Sequence, residues 1–252
     1  MKFIIYEQIT PQIARLTVNR PEMRNALNWQ AMEEFSQVIR RLKTDEEVRV
    51  LLIGGAGKAF ISGADLGLVS SLDTKEDGKR LAVEMGKTLA EMRNLPILTI
   101  AMIDGHARGG GAEIAVACDF RFISDQATIG FVHSSLGLIP GWGGAHRLFD
   151  LVGYSNGLEY ISSAKAIDAE EALRVGLVNA VFPEDAFEQK VLAFSNQVTE
   201  NSWMAIKATK ELFLSWEQAG HTERGFAERA RFMELWSQDE RRERFDKIRK
   251  NE

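Results

Sequence analysis

The chain has one cysteine in 252 residues, Cys118, which excludes an intrachain disulfide and any cysteine-based zinc cluster. Its four histidines, His106, His133, His146 and His221, are scattered, and none shares the H-x-x-x-H spacing of a helix-borne metal site. No metal is expected. No apolar segment approaches the ~20 residues that span a bilayer. The opening MKFIIYEQ lacks the longer apolar stretch and cleavage site of a signal peptide. The expectation is a soluble, cytoplasmic protein with no membrane partner. Positive charge is not in excess either. The 31 Lys and Arg face 36 Asp and Glu, a formal net charge of −5, so the field gives a nucleic acid no long-range attraction. GGAGKAF has a lysine but no GK[ST], and GGGAE lacks the spaced glycines of a dinucleotide fingerprint. GYSNG (153–157) matches G-x-S-x-G by letters, but the residues before it, AHRLFDLV, are not a strand run, so it is not read as a nucleophile elbow; Cys118 lies in the apolar run AVAC, where it reads as core.

Hydrophobic residues make up 45% of the chain and charged residues 27%, enough for one large domain with a sizeable core. FIIYEQI and IARLTV, separated by TPQ, predict an opening hairpin. VRVLLI (48–53) and ILTIAMI (97–103) are continuous apolar runs, the mark of strands buried on both faces. FRFIS, ATIGF and LVNAVF add further strands. Trp29, Met32, Phe35, Ile39 and Leu42 recur at helical spacing after Asn28, a plausible N-cap; Leu81, Met85, Leu89 and Met92 define a second helix. Asp168 with Glu171 predicts a capping box, and Gly176 closes that helix. The fold class is α/β with substantial parallel sheet. Residues 1–199 form the core, and 200–252 a helical C-terminal region.

Two glycine-bearing loops, SGAD (62–65) and ARGGGAE (107–113), each follow a buried apolar strand, where ligands usually bind in α/β sheets. One N–H from each loop could hold a negatively charged oxygen. Alternatively, both loops are tight turns without a ligand. Glu113 falls at a helix start, which the helix dipole favours, yet apolar residues follow it. A carboxylate at that border needs partners, and such groups tend to be functional.

With these residues together, the chain resembles the crotonase (enoyl-CoA hydratase/isomerase) superfamily. The resemblance rests on NRPEMRNAL, GKAFISGADL, G-x-x-x-GGG-x-E (105–113), CDFRFI and LGLIPGWGGAHRL, and covers nearly all of the chain. It implies an acyl-CoA thioester substrate, a spiral of β-β-α units, and a helical C-terminal part that builds a homotrimer or a dimer of trimers. No cofactor is implied, since coenzyme A is part of the substrate. The resemblance puts the two oxyanion-hole amides on Ala64 and Gly110. It makes Asp65 and Leu66 neighbours of the CoA arm, and Arg24 and Lys58 candidates for its phosphates. Trp142 is a candidate for lining the acyl pocket, and Arg108 reads as a solvated loop arginine.

The sequence departs from the hydratases at one place. They carry a second glutamate about twenty residues after the first; here the first is Glu113 and the second position is His133. The combination EDG (76–78), GGGAE, ACDFR, FVH and IPGWGG is closer to the ethylmalonyl-CoA/methylmalonyl-CoA decarboxylase branch. The implied function is an acyl-CoA lyase that decarboxylates short 2-alkylmalonyl-CoA esters, with Glu113 and His133 as the catalytic side chains. The alternatives are a 2-enoyl-CoA hydratase using Glu113 with His133 and, from another class, an RNA-binding crotonase fold. The last needs a lysine-rich exposed helix, whereas 29–43 mixes acids and bases.

Overall fold

A computed structural model describes residues 1–216 of the chain. The chain divides into two compact units, Met1–Ser195 and Asn196–Glu252.

The first unit opens with β1 (Ile4–Thr10) and β2 (Ile13–Val18), the antiparallel hairpin expected from the alternating β-branched residues. Then come α1 (Trp29–Leu42), β3 (Val50–Gly55), the short α2 (Leu66–Val69) and α3 (Lys75–Arg93). Next are β4 (Leu98–Ile103), β5 (Ala107–Arg108), α4 (Gly110–Ala117), β6 (Phe120–Ser124) and β7 (Thr128–Gly130). A 3₁₀ turn at Val132–Leu136 leads to α5 (Gly144–Ser163), followed by β8 (Ile167–Asp168), α6 (Ala169–Arg174), β9 (Ala180–Phe182) and α7 (Phe187–Glu200). Among the described residues, the second unit takes the end of α7 from Asn196 and α8 (Trp203–Trp216).

The strands divide between two sheets. The larger has the order β1-β2-β3-β4-β6-β9, parallel from β2 onward; the smaller is β5-β7-β8. A repeated unit follows from this. In β4-β5-α4 and again in β6-β7-α5, one strand enters the large sheet, the next enters the small sheet, and a helix follows. That succession is the β-β-α spiral. The core lies where the large sheet is covered: Val50 to Ile53 and Ile100 to Ile103 are buried on both faces, as continuous apolar runs require.

Most local signals hold. Asn28 caps α1 by accepting from the Ala31 N–H, and Gly176 ends α6 with φ of 77°. The box at Asp168 is only half made. Asp168 accepts from the Glu171 N–H, but the Glu171 carboxylate turns to the Tyr160 hydroxyl and Lys165 instead. A full capping box sits at Thr74 and Asp77, so α3 starts well before Leu81, the first apolar residue of its stripe. Helix α5 breaks at Gly153, where φ is 77° and ψ 169°. Among the described residues, no helix is long and apolar enough to cross a membrane.

Candidate active site

The two glycine loops meet. A β-carbon on Gly63 would lie 2.8 Å from the Gly110 nitrogen, and one on Gly111 would overlap the Ile61 carbonyl oxygen. The Arg108 N–H donates to that same carbonyl at 3.1 Å. Side chains at these positions would hold the loops apart, so the glycines are there for closeness. Gly109 adds a conformational need, with φ of 51° and ψ of −120°.

Both amides picked out by the resemblance are available. Ala64 forms an isolated parallel bridge with Leu27, in which the Leu27 N–H donates to the Gly63 carbonyl and the Asp65 N–H to the Leu27 carbonyl. This leaves the Ala64 N–H outside the ladder. Gly110 is the first residue of α4, where an N–H has no intrahelical acceptor. Two donors on touching loops are thus unused by the fold, the arrangement an oxyanion hole would need.

Glu113 stands in the first turn of α4, 1% exposed. Its Oε2 accepts from the backbone N–H groups of Trp142 at 2.7 Å and Gly144 at 2.8 Å. Its Oε1 faces the Gly141 N–H at 3.3 Å and His133 Nε2 at 3.1 Å. The segment GWGG thus wraps the carboxylate, and Gly144 has no β-carbon because Glu113 Oε2 would be 2.9 Å from it. Gly144 also opens α5, so the carboxylate caps that helix at its positive end. Four donors occupy the four lone-pair sites of the carboxylate.

The same contact fixes the histidine. A carboxylate surrounded by donors only accepts, so Nε2 carries the hydrogen it shares with Glu113. Nδ1 of His133 is buried and has no hydrogen-bond partner. It is the ring atom left to exchange a proton. His133 lies beside the oxyanion loop: a β-carbon on Gly109 would be 3.8 Å from its Nε2.

The other expected residues fall on the surrounding loops. Arg24 and Lys58 are both exposed, on segments held together by Asn25. That residue is fully buried in the left-handed region, with φ of 58°, and donates to the carbonyls of Ala56, Ala59 and Phe60. Its role is not apparent from sequence, because an Asn in a loop signals only a turn. Leu66 is 66% exposed at the start of α2. Asp65 has a structural role, capping α2 and pairing with Arg20 at 3.0 Å. Burial works against its charge, but Arg20 and the N–H groups of Leu68 and Gly67 outweigh burial and hold its pKa below the ordinary value. Arg108, expected in solvent, is half-buried and donates to the Thr128 carbonyl and hydroxyl. Burial lowers its pKa. Trp142 is 4% exposed and lies against Gly110.

Comparisons with known proteins show the family. The family model for enoyl-CoA hydratase/isomerase matches residues 8–249. The chain belongs to that family. It is a crotonase-family enzyme, and both decarboxylases and hydratases of the family are among its relatives. An ethylmalonyl-CoA decarboxylase of Danio rerio is 36% identical over 89% of this chain and 76% of its own length. A short-chain-enoyl-CoA hydratase of Clostridium acetobutylicum is 36% identical over 79% of this chain and 77% of its own. The crystal structure of an enoyl-CoA hydratase from Bacillus anthracis superposes with a TM-score of 0.94 at 29% identity, covering 99% and 96% of the two chains.

Proposed function

We propose that this crotonase-family enzyme decarboxylates short 2-alkylmalonyl-CoA esters such as ethylmalonyl-CoA or methylmalonyl-CoA. The observation that carries the reading is the saturated carboxylate of Glu113. Hydration needs a side chain to activate water for C3, and Glu113 already accepts from His133, Gly141, Trp142 and Gly144. The position where hydratases keep a second glutamate is His133. Decarboxylation asks for no base. The bond from C2 to the carboxylate breaks, CO2 leaves, and the electron pair passes into the thioester as an enolate. The Ala64 and Gly110 N–H groups hold the enolate oxygen more strongly than the ground-state carbonyl, and that difference lowers the barrier. With its Nε2–H held by Glu113, His133 carrying a second proton on Nδ1 gives that proton to C2, is left as the neutral Nε2–H ring, and takes a proton back from solvent. Glu113 acts through His133, as a positioning residue.

The relatives support the same choice, since ethylmalonyl-CoA decarboxylases of several vertebrates are similar to this chain at 35–39% identity. Coenzyme A enters with the substrate, its phosphates meeting Arg24 and Lys58, and no other cofactor is needed. The hydratase reading keeps the support of the Clostridium relative and of the Bacillus anthracis structure. Purified protein is incubated separately with ethylmalonyl-CoA, methylmalonyl-CoA and crotonyl-CoA, and the products are weighed. CO2 release with little hydration is expected; brisk hydration without CO2 release installs the alternative. Assembly as a trimer or a dimer of trimers belongs to the same proposal. The C-terminal part offers several aromatic residues for it: Trp203, Phe213 and Trp216 lie on α8, while Phe226, Phe232 and Trp236 lie outside the described residues.

A further inference from the structure

We infer that the indole of Trp142 is the wall that sets how large an alkyl group the substrate can carry at C2. The inference rests on the proposed decarboxylation only for the identity of that group.

The first support is position. A β-carbon on Gly110 would fall among the indole atoms, 2.8 Å from Cε3 and closer still to Cη2 and Cζ3. The ring is therefore in van der Waals contact with the α-carbon of the residue whose N–H is offered to the thioester oxygen. C2 of a bound thioester is one bond from the carbon bearing that oxygen. Whatever C2 carries must find space beside Gly110, and the ring already occupies one side of it.

The second support is rigidity. The Trp142 N–H donates to Glu113 at 2.7 Å, and its carbonyl accepts from Arg147 at 3.2 Å. Helix α3 approaches from behind: a β-carbon on Gly86 would be 3.9 Å from Trp142 Cα, and one on Gly141 would be 3.7 Å from Ala82 Cβ. The residue is clamped from α3, α4 and α5, and is 4% exposed. With its backbone held and its side chain buried, the ring can make way for a longer chain only by displacing packed neighbours. A selectivity wall has to have this property, and a residue that merely fills space does not need it.

The third support is that Gly110 and Trp142 make one size match. The ring reaches the loop only because position 110 lacks a side chain, so the free space near C2 is set by the pair.

Saturated thioesters test this directly, because butyryl-CoA carries the same alkyl group as ethylmalonyl-CoA without the departing carboxylate. Calorimetric Kd values are compared for free CoA, propionyl-CoA, butyryl-CoA and hexanoyl-CoA in the wild type, Trp142→Phe and Trp142→Ala. The wild type should bind hexanoyl-CoA at least ~10-fold more weakly than butyryl-CoA. Trp142→Ala should invert that order, gaining roughly fourfold per newly buried methylene, and Trp142→Phe should fall between. Unchanged affinity for free CoA shows that a variant has kept its fold, and the milder Trp142→Phe carries the test if the alanine variant does not fold. A hexanoyl-to-butyryl ratio that stays the same in the folded variants, or a wild type indifferent to chain length, overturns the inference. These affinities do not depend on the reaction. A shifting ratio without CO2 release would therefore sink the decarboxylase reading alone, and a flat ratio with CO2 release would sink the wall alone.

Discussion

Replacing Glu113 by Gln changes one oxygen into an NH2 group, and the structure says what that does at each of four contacts. The amide oxygen goes where two short bonds wait, so it keeps the N–H groups of Trp142 and Gly144. Both bonds pass from charge-assisted to neutral, a loss of about 1 kcal/mol each. The NH2 then faces the Gly141 N–H, donor against donor, which costs about 1 kcal/mol more in a site that is 1% exposed. The sum is about 3 kcal/mol, or a fall in the urea midpoint of roughly 1 M at fixed protein concentration. At the fourth contact the NH2 donates to His133 Nε2, which must become an acceptor, so the ring hydrogen moves to Nδ1. The amide NH2 facing Nε2 prevents the doubly protonated ring, and a neutral Nδ1–H ring could give its proton to C2 only by becoming an imidazolate, so turnover to the decarboxylated product should fall by on the order of 10². The assay pairs Glu113→Gln with His133→Ala and the double variant. If Glu113 works through His133, the double variant is no slower than the worse single one. Penalties that multiply, or a Glu113→Gln protein with wild-type stability, would refute the reasoning.

Gly110→Pro removes the proposed oxyanion donor at a helix position that tolerates proline, but its ring would strike Trp142. Made in a Trp142→Ala background, it should cost about 10²–10³ in kcat relative to that background, and equal turnover would dismiss the hole. Arg20→Ala leaves the Asp65 carboxylate buried without its cation, a loss of about 3 kcal/mol at pH 7 by chemical denaturation. Because Asp65 has a depressed pKa in the folded state, its contribution is present above the unfolded value of ~3.9 and is lost as pH falls through the folded one. The gap between wild type and Arg20→Ala should therefore close below about pH 4, and a gap constant with pH would contradict the pairing. Asn25→Ala orphans three carbonyls and leaves alanine in a left-handed backbone. It should lower stability by about 3 kcal/mol and weaken binding of free CoA by at least about tenfold. A folded variant with undiminished affinity would separate the staple from the CoA arm.

Much of this was legible in the sequence, and the limit has a physical source. Strands such as Val50–Gly55 and Leu98–Ile103 announce themselves because burial on both faces leaves an unbroken apolar run. Helix α1 shows its stripe and its cap. Helix α3 shows only the stripe, since Thr74 and Asp77 stand on a polar turn that carries no apolar period. At the site, residue types marked Glu113 and the two glycine loops, the family resemblance put roles on His133, Ala64 and Gly110, and the fold brings these segments together. What the types could not show is direction. Nothing in GWGG says that three of its N–H groups turn toward one carboxylate, or that Asp65 turns away to Arg20. Those facts depend on partners 28 to 45 positions away in the chain.

Helix α5 touches the acid–base pair at both ends. Its first N–H binds Glu113, and beyond the break at Gly153 the carbonyl of Ile161 accepts from the hydroxyl of Ser134, the neighbour of His133. Glu113 and His133 lie 20 residues apart in the chain, yet the segment carrying one and the neighbour of the other are each tied to an end of the same helical stretch.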